Sequence, residues 1–235
     1  MRGFTTAALQ RRFRTTRALV RTVLSRHAPL PPDKWEFVVS SHGKPAVAPR
    51  HLRLPVPSFN LSHTEALVVL LTGEDRALGV DIEQVNRSPP LDVAAQFFSE
   101  AERRAMSGLS AAEQASRFWD LWTLKESYIK ARGLGMSIPL DRFSIGLDAG
   151  PDIRLDIDPS LGDCRDRWQF SLYDLAPDHR LAICAETRPC VDGELEGWRV
   201  IPACDDCPAQ PLRMRMLRRS PASRPRLRDL GPRTR

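Results

Sequence analysis

Phe118-Trp119-Asp120-Leu121-Trp122-Thr123-Leu124-Lys125-Glu126-Ser127-Tyr128-Ile129-Lys130 organises this 235-residue chain. At 100° per residue it forms an amphipathic helix, with Phe118, Leu121, Trp122 and Ile129 on the apolar stripe. Lys125 falls inside that stripe. Glu126, Trp119 and Lys130 lie on its border, and Glu126 and Lys130 are one turn apart. A charge turned towards a core costs several kcal/mol unless an opposite charge meets it. The helix is therefore expected to present a carboxylate and two ammonium groups to a buried, charged ligand. The plainer alternative is an i,i+4 salt bridge on an ordinary surface helix.

The surrounding composition, 42% hydrophobic and 27% charged, is that of a globular protein. The longest apolar runs, such as Ala66 to Leu71, are too short to span a bilayer. The basic N-terminus lacks the apolar core of a secretory signal. Five cysteines at irregular spacing (164, 184, 190, 204, 207) point to reduced thiols in the cytoplasm, and Cys204-Asp205-Asp206-Cys207 is a lone C-x-x-C. The net charge of +6 conceals a strong division. Residues 208–235 hold nine arginines and one aspartate, residues 1–32 hold seven arginines and no acid, and residues 33–207 sum to −9. Such basic ends on an acidic body are not the interleaved basic patch of a nucleic-acid reader. The arginine-rich stretch 208–235 is expected to be a disordered, solvated tail.

Along the chain the patterns predict a helix over 6–28, ended by Pro29, Pro31 and Pro32, and a strand from Trp35 to Val39. Further strands are predicted from Leu67 to Leu71 and from Ala77 to Glu83. A helix from Leu91 to Met106 precedes the helix quoted above. Four strands follow, from Phe143 to Leu147, Ile153 to Ile157, Trp168 to Tyr173 and Leu181 to Ala185. Alternating helices and strands in two successive sets predict an α+β fold of two halves.

The chemistry gathers at two places. In Gly79-Val80-Asp81-Ile82-Glu83 a strand sends Asp81 and Glu83 to one face while Val80 and Ile82 pack on the other. Two carboxylates about 7 Å apart can hold a hard cation such as Mg²⁺, with Glu126 the best-placed third arm. Lys125 and Lys130 flank Glu126 as a phosphate-bearing substrate would require. Arg17, Lys44 and His63 add cations in the N-terminal half. No Gly-rich phosphate loop, nucleophile elbow or zinc spacing is present in the sequence.

Taken together, Gly43-Lys44-Pro45, Phe59-Asn60-Leu61-Ser62-His63, Gly79 to Glu83 and Trp122 to Lys130 resemble the motifs of the Sfp-type 4′-phosphopantetheinyl transferases, in the same order. Phe97-Phe98-Ser99-Glu100, Gly133-Leu134-Gly135 and Pro139-Leu140 support the resemblance, which covers residues 11–188. It implies a pseudo-twofold α+β fold, with halves of about 1–78 and 79–207 and the active site in the cleft between them. It implies Asp81, Glu83 and Glu126 as Mg²⁺ ligands, and Lys125 and Lys130 as contacts to the coenzyme A pyrophosphate. Lys44, Ser62 and His63 would hold the 3′-phosphoadenosine end, with Arg17 a further coenzyme A contact. The reaction implied moves the 4′-phosphopantetheine arm of coenzyme A to a serine of an acyl or peptidyl carrier protein and releases 3′,5′-ADP. Glu126 would serve as the base, with Lys130 beside it in the catalytic set. A monomer using no nucleic acid or membrane is expected.

Family members begin with a strand and a few dozen residues ahead of the arginine helix, so that strand is expected to be missing here. This leaves open a non-catalytic relic that binds a carrier or coenzyme A. A Mg²⁺-dependent nuclease would share the Asp-x-Glu and Lys-Glu strings but leaves Gly43 to Pro45 and Asn60 to His63 unexplained.

Overall fold

The computed structural model describes residues 2–147, 150–175, 177–188, 195–204 and 207–221, with side chains from residue 7 onward. The N-terminal half opens with α1 (Arg2–His27), followed by the hairpin β1 (Phe37–Val39) and β2 (Pro45–Val47). A second hairpin, β3 (Ser58–His63) and β4 (Val68–Gly73), completes it. Val20 and Leu24 of α1 close over Trp35, Val47 and Phe59 as a small core of its own.

The C-terminal half contains β5 (Leu78–Gln84), α2 (Leu91–Phe97), α3 (Glu100–Ser107) and α4 (Ala111–Arg132). It continues with β6 (Phe143–Gly146), β7 (Arg154–Ile157), β8 (Trp168–Leu175) and β9 (His179–Glu186). The chain then adds β10 (Trp198–Arg199), β11 (Gln210–Pro211) and β12 (Arg215–Arg219). A four-stranded antiparallel sheet runs β12-β8-β9-β5, with α4 lying across one face. Each half thus sets one long helix on an antiparallel sheet, but the first sheet has only two strands.

The two sheets meet without a backbone ladder. Asn60 Oδ1 accepts from Val80 N at 2.9 Å, and Ser62 Oγ accepts from Ile82 N at 3.2 Å. These pairs ascend together, so β3 runs parallel to β5 and its side chains satisfy the β5 amides that the gap would otherwise orphan. Gly79 lets α4 come close on the other side: a Cβ there would stand 1.9 Å from Ser127 O and 2.4 Å from Ala131 N.

Three expectations are corrected. The helix foreseen over Leu91–Met106 is broken at Phe98–Ser99, because Ser99 and Glu102 form a capping box that starts α3. The tail expected from residue 208 is ordered over part of its length. β12 pairs with β8, and Leu212 and Met214 pack against the outer face of the sheet, so apolar residues between the arginines find a surface to cover. The remainder of that tail, 222–235, lies outside the described residues. Cys204 and Cys207, expected as free thiols, are joined in a disulfide, their Cα atoms 5.3 Å apart and within bridging range. Cys184 is free and buried, and Cys190 is outside the described residues.

Candidate active site

α4 and β5 build the site by crossing at Gly79. Asp81 is buried on the α4 side of the sheet, while Val80 and Ile82 enter the opposite, apolar face, as the alternation requires. Asp81 Oδ1 receives Lys130 Nζ at 2.6 Å and Ser62 Oγ at 2.9 Å. Lys130 Nζ also reaches Ser62 Oγ at 2.9 Å, so one residue from each of β3, β5 and α4 meets at a point. Asp81 Oδ2 is buried with no hydrogen-bond partner.

Glu83 sits two residues along, held by Trp122 Nε1 at 3.1 Å and Arg87 Nη2 at 2.7 Å. Its carboxyl is pushed up by burial and by Asp81, against the pull of Arg87. Glu126 lies next on α4 and is raised to about 7, first by burial, then by Asp81 and Glu83, with Lys130 opposing. His63 at the exposed end of β3 is held below its ordinary value by burial and then by the Arg12 guanidinium, with Lys130 adding to the effect. Arg12 of α1 is thus the arginine whose charge reaches His63, whereas Arg17 stacks on exposed Phe13 at 5.0 Å.

The expected set thus divides. Asp81, Glu83, Glu126, Lys130, Ser62 and His63 come together in the cleft. Lys125 does not. It is fully buried, donates to both Glu102 oxygens at 2.7 and 2.8 Å and to Phe143 O at 2.7 Å, and lies against the Phe143 ring. Burial lowers its pKa, against the pull of Glu102. The buried charge does meet an opposite one, but it is a carboxylate of α3 on the far side of the helix. Lys44 also has other partners, donating to Lys130 O at 2.7 Å, Leu78 O at 3.1 Å and Ala131 O at 3.5 Å. It ties the β1–β2 turn to the C-terminal end of α4, where carbonyls lack helical partners. Three contributors went unnoticed in the sequence, Arg87, Arg12 and Glu102, and Trp122, expected only on the apolar stripe, also orients Glu83. Only Glu102 left a signal, as the third residue after the Ser99 cap.

The donor chemistry fits a hard cation. Asp81 helps to raise the carboxyls of both Glu83 and Glu126 and has its own Oδ2 buried and unpartnered, a crowding of carboxylates that a divalent ion relieves. Among the described residues, no three such groups are already gathered into a ligand set. Asp81 Oδ1 and both Glu83 oxygens are instead taken by lysine, serine, tryptophan and arginine donors. A cleft combining these acids with Lys130, Arg12 and His63 can hold a phosphate-bearing ligand.

The chain is similar to a class of group-transferring enzymes. Residues 77–184 match the 4'-phosphopantetheinyl transferase superfamily. The chain is 32% identical over 167 residues to the 4'-phosphopantetheinyl transferase Sfp of Bacillus subtilis, covering 71% of this chain and 70% of that one. It is 29% identical over 170 residues to the 4'-phosphopantetheinyl transferase HetI of Nostoc sp., covering 72% and 67%. A solved Chronobacterium ammoniagenes ACPS-CoA complex aligns with a TM-score of 0.35 at 20% identity, over 49% of this chain and 100% of that one. The chain belongs to the 4′-phosphopantetheinyl transferase family and is a transferase enzyme.

Proposed function

We propose that the protein transfers the 4′-phosphopantetheine arm of coenzyme A to an acyl or peptidyl carrier protein at the Asp81–Glu83–Glu126–Lys130 cluster. The observation that carries this reading is the convergence of Ser62, Asp81 and Lys130 within 2.9 Å, beside a Glu126 carboxyl poised near neutrality. The carrier serine oxygen attacks the β-phosphorus of coenzyme A and forms the new O–P bond. The bond from that phosphorus to the bridging oxygen breaks, and 3′,5′-ADP leaves with the electron pair. Glu126, beside the phosphoryl end of the cluster, takes the serine proton as the base. Lys130 bears on the phosphoryl charge, and Arg12, Ser62 and His63 line the end of the cleft that receives the nucleotide. Asp81, Glu83 and Glu126 would hold Mg²⁺, which supplies charge neutralisation at the pyrophosphate when bound.

We place the protein in the cytoplasm as a monomer. Among the described residues no helix is long and apolar enough to cross a membrane. Incubation with coenzyme A, Mg²⁺ and an apo carrier tests the reading. The carrier mass should rise by one phosphopantetheine, and the rise should vanish with Asp81→Ala. An unchanged carrier mass across acyl and peptidyl carriers would sink it.

A further inference from the structure

Glu83 is claimed at both oxygens. Trp122 Nε1 of α4 donates to Oε1 at 3.1 Å, and Arg87 Nη2 donates to Oε2 at 2.7 Å. Arg180 stands opposite Glu83 on β9 but turns to Asp120 and Asp174. The cation that Glu83 meets therefore comes from the loop after β5.

That loop is pinned to the β8–β9 turn, with Val85 N donating to Asp178 O at 2.9 Å and the Asn86 side chain donating to Asp178. The Arg87 side chain is held more lightly. Its guanidinium lies over the Trp119 ring, 4.6 Å from the centroid, and its Nε donates to Gln84 O at 3.2 Å. It is 58% exposed, whereas Lys130, the cation on Asp81, is 28% exposed and shared with Ser62. Of these two cations Arg87 is the one with water to turn into, and it can turn without moving the backbone.

Glu83 is also one of the three carboxylates assigned above to Mg²⁺. A guanidinium and a divalent ion on the same carboxylate repel each other at contact range, where the Coulomb term is largest. We propose that Arg87 is a tethered competitor for the metal site, one that must leave Glu83 Oε2 for Mg²⁺ to bind there and so sets the affinity of the site for the ion. This rests on the metal reading above. The effect has two sides of opposite sign. Where the ion is scarce, Arg87 neutralises a carboxylate that Asp81 would otherwise repel. Where the ion is plentiful, displacing Arg87 subtracts from the free energy of binding. A residue that merely oriented Glu83 for the ion would act in one direction only.

The test titrates the full chain with Mg²⁺ in a calorimeter, without coenzyme A. It compares wild type with Arg87→Gln, the charge-keeping Arg87→Lys, and Arg50→Gln, which removes a guanidinium paired with Glu36 outside the site. Expected is a Mg²⁺ Kd lowered about threefold or more in Arg87→Gln, with the other two variants within about twofold of wild type. In EDTA Arg87→Gln should melt below wild type, and Mg²⁺ should raise its melting temperature by more. Because Arg87 covers Trp119, wild-type tryptophan emission should change over the range in which the ion binds, and change less in Arg87→Gln. An unchanged or raised Kd in Arg87→Gln overturns the proposal, as does equal tightening in Arg50→Gln. So does a wild-type emission that stays constant while the ion binds, since Arg87 has then not left Trp119. Asp81→Ala separates the two readings. Heat of binding that is absent from wild type, or that survives Asp81→Ala, refutes the metal reading and the competition with it. Binding that needs Asp81 but ignores Arg87→Gln refutes the competition alone.

Discussion

Glu126 couples stability to pH. Its folded pKa of about 7 exceeds the ordinary 4.5, so between those values the folded chain keeps a proton that the unfolded chain has released. Stability should fall as pH rises through that window, by up to about 3 kcal/mol, and Glu126→Gln should remove this part of the slope in thermal melts. The same variant should lower transfer about 10²-fold or more, read as kcat at saturating carrier. Added Mg²⁺ should raise the melting temperature more at pH 8 than at pH 6, where the proton competes for the carboxylate. Lys125 makes a different prediction. With Lys125 wholly and Glu102 almost wholly excluded from water, Lys125→Met strands a buried carboxylate and should cost about 3–5 kcal/mol. Chemical denaturation measures it, and a cost below about 1 kcal/mol would show that the pair does not hold α3 and α4 together. Glu102 also accepts from Ile145 N at 2.7 Å, so the loss should spread to β6.

Among the elements, the α4–β5 crossing sets the distance between the two banks of the site. Gly79 permits it because backbone atoms of Ser127 and Ala131 occupy the space of a side chain. Gly79→Ala should cost about 3 kcal/mol, and it should depress transfer by more than its stability loss explains, because it moves Glu126 away from Asp81. Wild-type kcat in a folded Gly79→Ala enzyme would refute the claim that this spacing matters. The β3–β5 seam rests on Asn60 and Ser62 side chains instead of a ladder. Such a joint is directional, and it delivers Ser62 to Asp81 as a consequence of holding the sheets together.

At the scale of the whole molecule, the C-terminal segment covers a face that would otherwise be bare. Leu195, Leu212 and Met214 pack on the outer side of the sheet against the cluster containing Val80, Ile82, Tyr173 and Leu181. Ala203 N donates to Thr22 Oγ1 at 3.1 Å, carrying the same segment across to α1 in the other half. A chain ended at residue 188 should melt about 10 °C lower and bind a hydrophobic dye that the full chain excludes. Equal melting temperatures would mean that the segment merely rests on the surface.

By itself the sequence determined the alternation of Asp81 and Glu83 against Val80 and Ile82, the long helix carrying Glu126 and Lys130, and the order of motifs that names the family. These are local properties, written in residue spacing. It also determined that Lys125, set in an apolar stripe, must meet an opposite charge. Which charge was a matter of tertiary structure, because Glu102 lies 23 positions away and reaches Lys125 only once α3 packs beside α4. Packing likewise turned Lys44 to the end of α4, placed Arg12 rather than Arg17 near His63, and drew an arginine-rich stretch into a β-strand. No spacing rule encodes such choices, since each depends on which distant donor, carbonyl or apolar face is left unmatched when the halves close.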